Sequence, residues 1–559
     1  MIKKLKLILF VIFYIYQTSA FSKATVGKDF NPKYLSSYLS AIILQNNQNS
    51  ADSIKHFNSS KALINKHQEY LKKYISTLVV NGEVKKSINT IKQNKNNSKF
   101  FEANLLLLID GFKKKQFNKN IKLLNELKRY REYSDYHYII YEVLNSYNNL
   151  FLTKEINLKN KNLGKLSLIN EAFQYCYLNK SDTDLKFINL VNSEDGDYTR
   201  YLFFYFNNLI KKKDFETVNK ISKSINDLNS NLLILQAKHW VNDSNFNKFN
   251  DFFSCDNEAD ILGEFFFLIA NFLGSEENYE RSNFYANISN YLNPKFYFNL
   301  THLISNYFAS EKYEITRKLL ENFIKEDEVY YWYKLKKISQ IIFAEEDSIK
   351  SLSFIESKFK SNSDPSIKII YDMANIYKRN KEFEKSIKYY SLLLKKLNNK
   401  SEEYADVLYK RGSSYERLGD DLKSDKDLIK SLKIKPNEPY VLNYLGYSWL
   451  ERNYKIQEAI SMLDKAYNEK ENDPFIIDSV GWGYYLVGDY INAEIFLRKA
   501  IQLMPKDPIV NDHYGDILWK LNRKIQAKYY WESAIKSEDV EESMKENLSK
   551  KLLKGLNES

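Results

Sequence analysis

The chain of 559 residues carries 83 Lys and Arg against 71 Asp and Glu, a net charge of +12, with 44 Tyr, 35 Phe, 15 Gly and 8 Pro. It is too long for one compact core, so it calls for several domains or for a stack of repeats in which each unit buries its apolar face against its neighbours alone. Sparse glycine and proline exclude a turn-rich all-β fold, the aromatic content excludes global disorder, and the basic excess lacks the compact, aromatic-interleaved cluster of a nucleic-acid surface.

The first segment reads as an address. Lys3, Lys4 and Lys6 form a positive head, Leu7 to Tyr16 is an uncharged apolar run, and Thr18-Ser19-Ala20 supplies small residues for cleavage. This pattern predicts a signal peptide over residues 1–20, a mature chain that starts at Phe21, and export. The alternative, an uncleaved anchor, needs about 20 apolar residues, and the run is shorter. No cysteine follows the run, so a lipid anchor is not expected.

Residues 21–364 read as degenerate helical repeats. Ala41, Leu44 and Phe57 fit one helix hairpin, and Ile75, Leu78 and Ile91 fit the next. Between residues 100 and 260 the apolar period stays helical, but large residues replace small ones, which should splay the hairpins and make them irregular. Cys176 and Cys255 fall in separate predicted helices. Two such residues define no disulfide framework and are too few for a cysteine zinc site, so each is expected as a small buried apolar residue. The pattern sharpens again with Ala270, Leu273 and Ala286, then Ile304, Tyr307 and Leu320.

Residues 365–536 hold the clearest units. Ala374, Tyr377, Ser386 and Tyr390 open the series. Glycine then recurs at Gly412, Gly446, Gly481 and Gly515, at intervals of 34, 35 and 34 residues. Three places on stand Tyr415, Trp449, Tyr484 and Leu518, and the second helices carry Ser424, Ala459, Ala493 and Ala527. Small residues at Gly412, Gly446, Gly481, Gly515, Ala459, Ala493 and Ala527 are assigned to repeat packing, because they let paired helices approach closely. Pro439, Pro474 and Pro508 suit first helical turns, where the missing N–H costs nothing. Residues 537–559 predict a capping helix with Val540, Met544, Leu548 and Leu552 on its one dry face.

These units resemble the tetratricopeptide repeat (TPR) family, whose period is about 34 residues. The resemblance implies an all-α fold, a right-handed α-solenoid of antiparallel helix hairpins. It also implies that the concave face of the first helices holds peptide segments. The positions that would line it are Tyr409, Ser413 and Glu416; Asn443, Tyr447 and Leu450; Asp478, Trp482 and Tyr485; and Asp512, Asp516 and Trp519. From these, Tyr409, Asn443, Tyr447, Asp478, Trp482, Tyr485, Asp512, Asp516 and Trp519 are taken as the peptide-binding set. Aromatic faces with carboxylates favour apolar and Lys- or Arg-bearing segments. The Lys and Asn clamp of chaperone-binding relatives is not formed in these units. The plainer alternative is that Trp482, Tyr485 and Trp519 fill space between helices.

Catalytic motifs are missing. There is no phosphate loop, no His-Glu-x-x-His, no Gly-x-Ser-x-Gly and no dinucleotide fingerprint. Asp512, His513 and Asp516 are the one suggestive cluster, yet two carboxylates are few for a cation and ordinary surface polarity accounts for them. No catalytic residue, metal or cofactor is expected. The expected function is an exported adaptor that binds protein partners in the periplasm or envelope, without nucleic acid and without membrane insertion after leader cleavage. The alternatives are an accessory factor for polysaccharide export or outer-membrane protein assembly, and the regulatory helical arm of an enzyme.

Overall fold

The structure, a computed structural model, describes residues 31–556 apart from residue 68 and the segments 157–162, 194–195 and 538–539. The signal peptide predicted over residues 1–20 lies outside the described residues. Among those described, the chain forms thirty α-helices and no strand. None of the helices is long and apolar enough to cross a membrane. The helices pair as antiparallel hairpins, as the repeat pattern requires. Contacts divide the chain into two compact units, residues 1–225 with 231–334, and residues 226–230 with 335–559.

In the N-terminal unit the first hairpins are α1 (Pro32–Asn46) with α2 (Ser50–Ser59), α3 (Tyr70–Val80) with α4 (Val84–Gln93), and α5 (Phe101–Lys113) with α6 (Phe117–Lys128). Next come α7 (Asp135–Thr153), α8 (Lys165–Tyr177), α9 (Thr183–Val191), α10 (Tyr201–Lys211), α11 (Phe215–Lys223) and α12 (Leu232–Asn242). The unit ends with α13 (Asn247–Phe252), α14 (Glu258–Ser275), α15 (Tyr279–Leu292), α16 (Tyr297–Ala309), α17 (Tyr313–Leu320) and the start of α18 (Glu328–Glu345). Large aromatics sit where a compact repeat would hold alanine. Phe203, Phe204, Phe253 and Phe296 pack ring to ring, and the second helices shrink, with α13 only six residues long.

The unit then closes on itself. The carbonyl of Val80, at the end of α3, accepts from Asn287 Nδ2 and from the Tyr307 hydroxyl, both at 2.9 Å. Gln45 donates to Glu280 at 3.1 Å, and Lys115 pairs with Glu258 at 2.9 Å. Arg200 is buried and makes a two-pronged bond to the buried Glu264, at 2.7 and 2.5 Å, between the ring faces of Phe267 and Phe298.

Cys176 and Cys255 are joined. The expectation of two separate buried thiols is corrected: they form a disulfide across 79 residues with Cα atoms 5.7 Å apart. Cys255 lies in the turn that leads into α14, and packing of that turn against α8 brings the two sulfurs together.

The C-terminal unit is more regular. After α18 and α19 (Ser348–Lys360) its hairpins are α20 (Ile367–Arg379) with α21 (Phe383–Lys396), α22 (Glu402–Arg417) with α23 (Asp421–Ile434), and α24 (Pro439–Glu451) with α25 (Ile456–Glu469). Then follow α26 (Pro474–Leu486) with α27 (Tyr490–Leu503), α28 (Pro508–Lys520) with α29 (Lys524–Ile535), and the lone α30 (Glu542–Lys554). Asp473 and Asp507 cap α26 and α28 with side-chain oxygens, and proline takes the next place in each. An N-cap acceptor satisfies donors that the first turn leaves unpaired. The turn between paired helices passes through left-handed backbone at Gly488, φ +83°, and at Asn453 and Asn522 in the same role. Asparagine is among the few residues other than glycine that enter this region readily.

The small residues mark helix crossings. A β-carbon at Gly446 would lie 2.9 Å from the Ala459 carbonyl oxygen, and one at Gly481 would lie 2.7 Å from Leu497. Ala459, Ala493 and Ala527 are fully buried, and a β-carbon at Gly412 or Gly515 would crowd Leu428 or Trp531.

Candidate inner-face binding site

The first helices α22, α24, α26 and α28 lie side by side through the stack. In α26, Asp478, Trp482 and Tyr485 follow i, i+4, i+7 spacing, which places them on one helix face. Trp482 stacks on Tyr485 with ring centres 4.6 Å apart and on His513 of α28 at 4.0 Å. Its indole N–H donates to Glu451 of α24 at 2.6 Å. Three neighbouring first helices are thus linked through one indole.

His513 Nδ1–H donates to Asp478 Oδ2 at 2.9 Å, and both residues are buried. Burial alone would depress the imidazole. The Asp478 carboxylate in hydrogen-bond contact, with Asp512 and Asp516 beyond, outweighs burial and raises it above the usual histidine value. Asp478 keeps a second oxygen, Oδ1, that is buried without a hydrogen-bond partner, and Asn443 Oδ1 of α24 is in the same condition. An unpaired buried acceptor costs the desolvation of that group, so each of these oxygens is poised for a donor.

The remaining positions of the predicted set divide. Tyr409 meets Tyr444 edge to face at 5.8 Å. Tyr447 and Tyr485 are half-buried, and burial pushes both phenols up. Asp512 and Asp516 are not ordinary surface residues, as the sequence suggested. They are buried, and Lys551 of α30 lies between them, 2.6 Å from Asp512 Oδ1 and 2.8 Å from each Asp516 oxygen. Burial, with Asp512 alongside, holds the Asp516 carboxyl above the usual range despite that lysine. Trp519 packs on Trp531 at 5.3 Å, and a β-carbon at Gly555 would touch its ring. The chain's own last helix therefore covers Asp512, Asp516 and Trp519.

Ser413 and Leu450, predicted for the inner face, belong to the packing: Leu450 joins the core beside Leu463, and Ser413 is buried and accepts from Lys378. Glu451 and Lys551 were missed by sequence reasoning, and His513 was singled out only beside a carboxylate pair and set down as surface polarity. A signal existed for His513, which stands one place beyond the repeat equivalent of Asp478. None existed for Lys551, because its register against α28 is set by tertiary packing.

An inner face of aromatic rings and carboxylates on stacked helix hairpins defines a helical-repeat protein. Residues 405–438 match the family model of the tetratricopeptide repeat, and the chain carries tetratricopeptide repeats. A TPR repeat-containing protein of Pseudomonas aeruginosa is 35% identical over 114 residues, which is 20% of this chain and 19% of that one. Anaphase-promoting complex subunit 3 of Schizosaccharomyces pombe is 25% identical over 105 residues, 19% of this chain and 14% of that one. The chain thus spans less than a fifth of the length of either relative. A solved tetratricopeptide repeat protein of Parabacteroides merdae covers 45% of this chain and 97% of its own, with 17% identity and a TM-score of 0.37.

Proposed function

We propose that the protein is an exported scaffold whose C-terminal unit holds a Lys- or Arg-bearing, partly apolar segment of a partner protein along its inner face. The observation that carries this reading is the Tyr485–Trp482–His513 stack beside the unpaired Asp478 oxygen. Ring faces and a carboxylate attract cationic and apolar side chains together. Lys551 on Asp512 and Asp516 is an internal example: a lysine from a helix with one dry face, seated on the same surface. Export is supported by the leader-like first segment and by the Cys176–Cys255 disulfide, since such bonds persist in oxidising compartments. In a cell with two membranes the proposed site of work is the periplasm or envelope. Assistance to polysaccharide export or outer-membrane protein assembly would use the same groove.

The test is partner capture from envelope extract with the parent chain and Trp482→Ala. Loss of an aromatic anchor of about 2 kcal/mol weakens capture roughly 30-fold while the melting temperature holds. If stability falls and capture drops only with the folded fraction, Trp482 is a packing residue and the inner face is not the docking surface. N-terminal sequencing of the mature protein should return Phe21, and Met1 retained on a membrane-bound product makes the uncleaved anchor the correct reading instead.

A further inference from the structure

The closure of the N-terminal unit leaves a cleft of 480 Å³ at its seam. Its walls come from helices separated by about half the chain, so the cleft exists only because α14 and α15 return to α1, α3 and α5. Its size lies within the range of small-molecule sites, roughly 300–1,000 Å³. One wall is apolar, with Leu273, Phe284 and Tyr285 all buried.

The polar groups on the other walls are left unmatched. Glu102 offers one carboxylate oxygen to Lys72 at 4.0 Å, and its other oxygen, Oε2, is buried with no hydrogen-bond partner. His137 lies against Phe101 with ring centres 3.9 Å apart and planes tilted by 34°, and its Nδ1 is buried and equally unpartnered. Burial lowers the His137 imidazole, and Glu102, Arg281 and Lys72 line the cleft with it. Lys73 and Arg281 line the same cleft, and among the described residues neither has a carboxylate at ion-pair distance. A seam built for stability alone would set Arg281 on Glu102, since leaving a buried polar group without its partner costs free energy. Here Glu102 meets Lys72 through one oxygen, and among the described residues Lys73 and Arg281 line the cleft without a carboxylate at ion-pair distance.

The complement of that arrangement is a molecule with a cationic donor at one end, an anion at the other and an apolar body between. We propose that the seam cleft binds a small amino-carboxylate of dipeptide size, with its ammonium on Glu102, its carboxylate on Arg281 and Lys73, and its side chain against Phe284 and Tyr285. This site is in a different unit from the inner-face groove and does not depend on that reading.

Titration calorimetry of the full chain with the dipeptide Ala-Phe tests it, with N-acetyl-Ala-Phe and Ala-Phe amide as the blocked forms. The expected result is one saturable site for the free dipeptide, weakened at least about tenfold by either block, the loss of one good polar contact. Arg281 is exposed, so Arg281→Gln should fold as the parent does. It should narrow the preference for Ala-Phe over its amide, with Arg281→Gln and Lys73→Gln together abolishing it, and Glu102→Gln should narrow the preference for Ala-Phe over its acetyl form. Absence of saturable binding in the millimolar range overturns the proposal. So does equal binding of blocked and free dipeptides by the parent chain, or a chain with both Arg281→Gln and Lys73→Gln that still prefers the free carboxylate.

Discussion

The two units solve one problem in different ways. In the C-terminal unit each hairpin meets its neighbour through glycine and alanine, as Gly446 meets Ala459, and stability is local to the repeat. In the N-terminal unit Phe203, Phe204 and Phe253 hold the helices farther apart, and distant residues tie the unit together: Asn287 and Tyr307 on Val80, Arg200 on Glu264, Cys176 on Cys255. A repeat that loses its small residues gains freedom of shape and must replace local contact with closure over long sequence separation. Such closure carries a loop entropy that neighbouring repeats avoid.

The comparison breaks first at Arg200. Glu264→Gln leaves a buried guanidinium without its carboxylate, a change of about 3–5 kcal/mol. Denaturant unfolding followed by peptide-resolved hydrogen exchange should show that loss in the N-terminal unit. A loss under about 1 kcal/mol would mean that the ring faces of Phe267 and Phe298 suffice. Next in size is the disulfide. Replacing Cys176 and Cys255 with alanine frees a loop of 79 residues and should cost about 2–5 kcal/mol, again with the C-terminal unit unmoved. Gly481→Leu inverts the pattern: overpacking against Leu497 should cost about 1–3 kcal/mol and lower protection in the C-terminal unit alone. Equal losses in both units would dissolve the distinction between local and long-range stabilisation.

The smallest expected effect is on pH response, and its sign differs between the units. Burial lowers the His302 imidazole, which lies against Ser282 and the Ala270 carbonyl. Its folded state resists protonation, so stability present above about pH 6.5 is lost as the pH falls below that value. For His513, burial is outweighed by Asp478 and the value rises, so its stabilisation is complete below about pH 6.5 and fades as the pH climbs through the raised value. Acidification from neutrality should therefore cost the N-terminal unit the His302 contribution, opposed there by the buried Asp260, whose carboxyl is pushed up to about 6, and should add the His513 contribution in the C-terminal unit. Equilibrium unfolding at several pH values reads this, with His302→Gln and His513→Gln each flattening the response of its own unit.

The C-terminal unit was largely legible in the sequence because its constraints are short in range. A helix crossing at Gly481 needs a small residue there and another at Ala493, twelve places on, and the repeat copies both. The closure of the N-terminal unit was not legible. Gln45 meets Glu280 and Val80 meets Asn287 through packing, and no periodic pattern links residues that far apart. The pairing of Cys176 with Cys255 was hidden for the same reason. On the inner face, spacing put Asp478, Trp482 and Tyr485 on one side of a helix, but it carried no information about the helix that covers Asp512 and Asp516.

That covering helix has a further consequence. A row of near-identical hairpins is a one-dimensional crystal, and its exposed end is a growth face shaped to receive one more copy. With Leu548 in the core and Lys551 holding both aspartates, α30 poisons that face. Lys551→Glu would set a third carboxylate against Asp512 and Asp516, loosening that cover and baring the apolar face of the last hairpin.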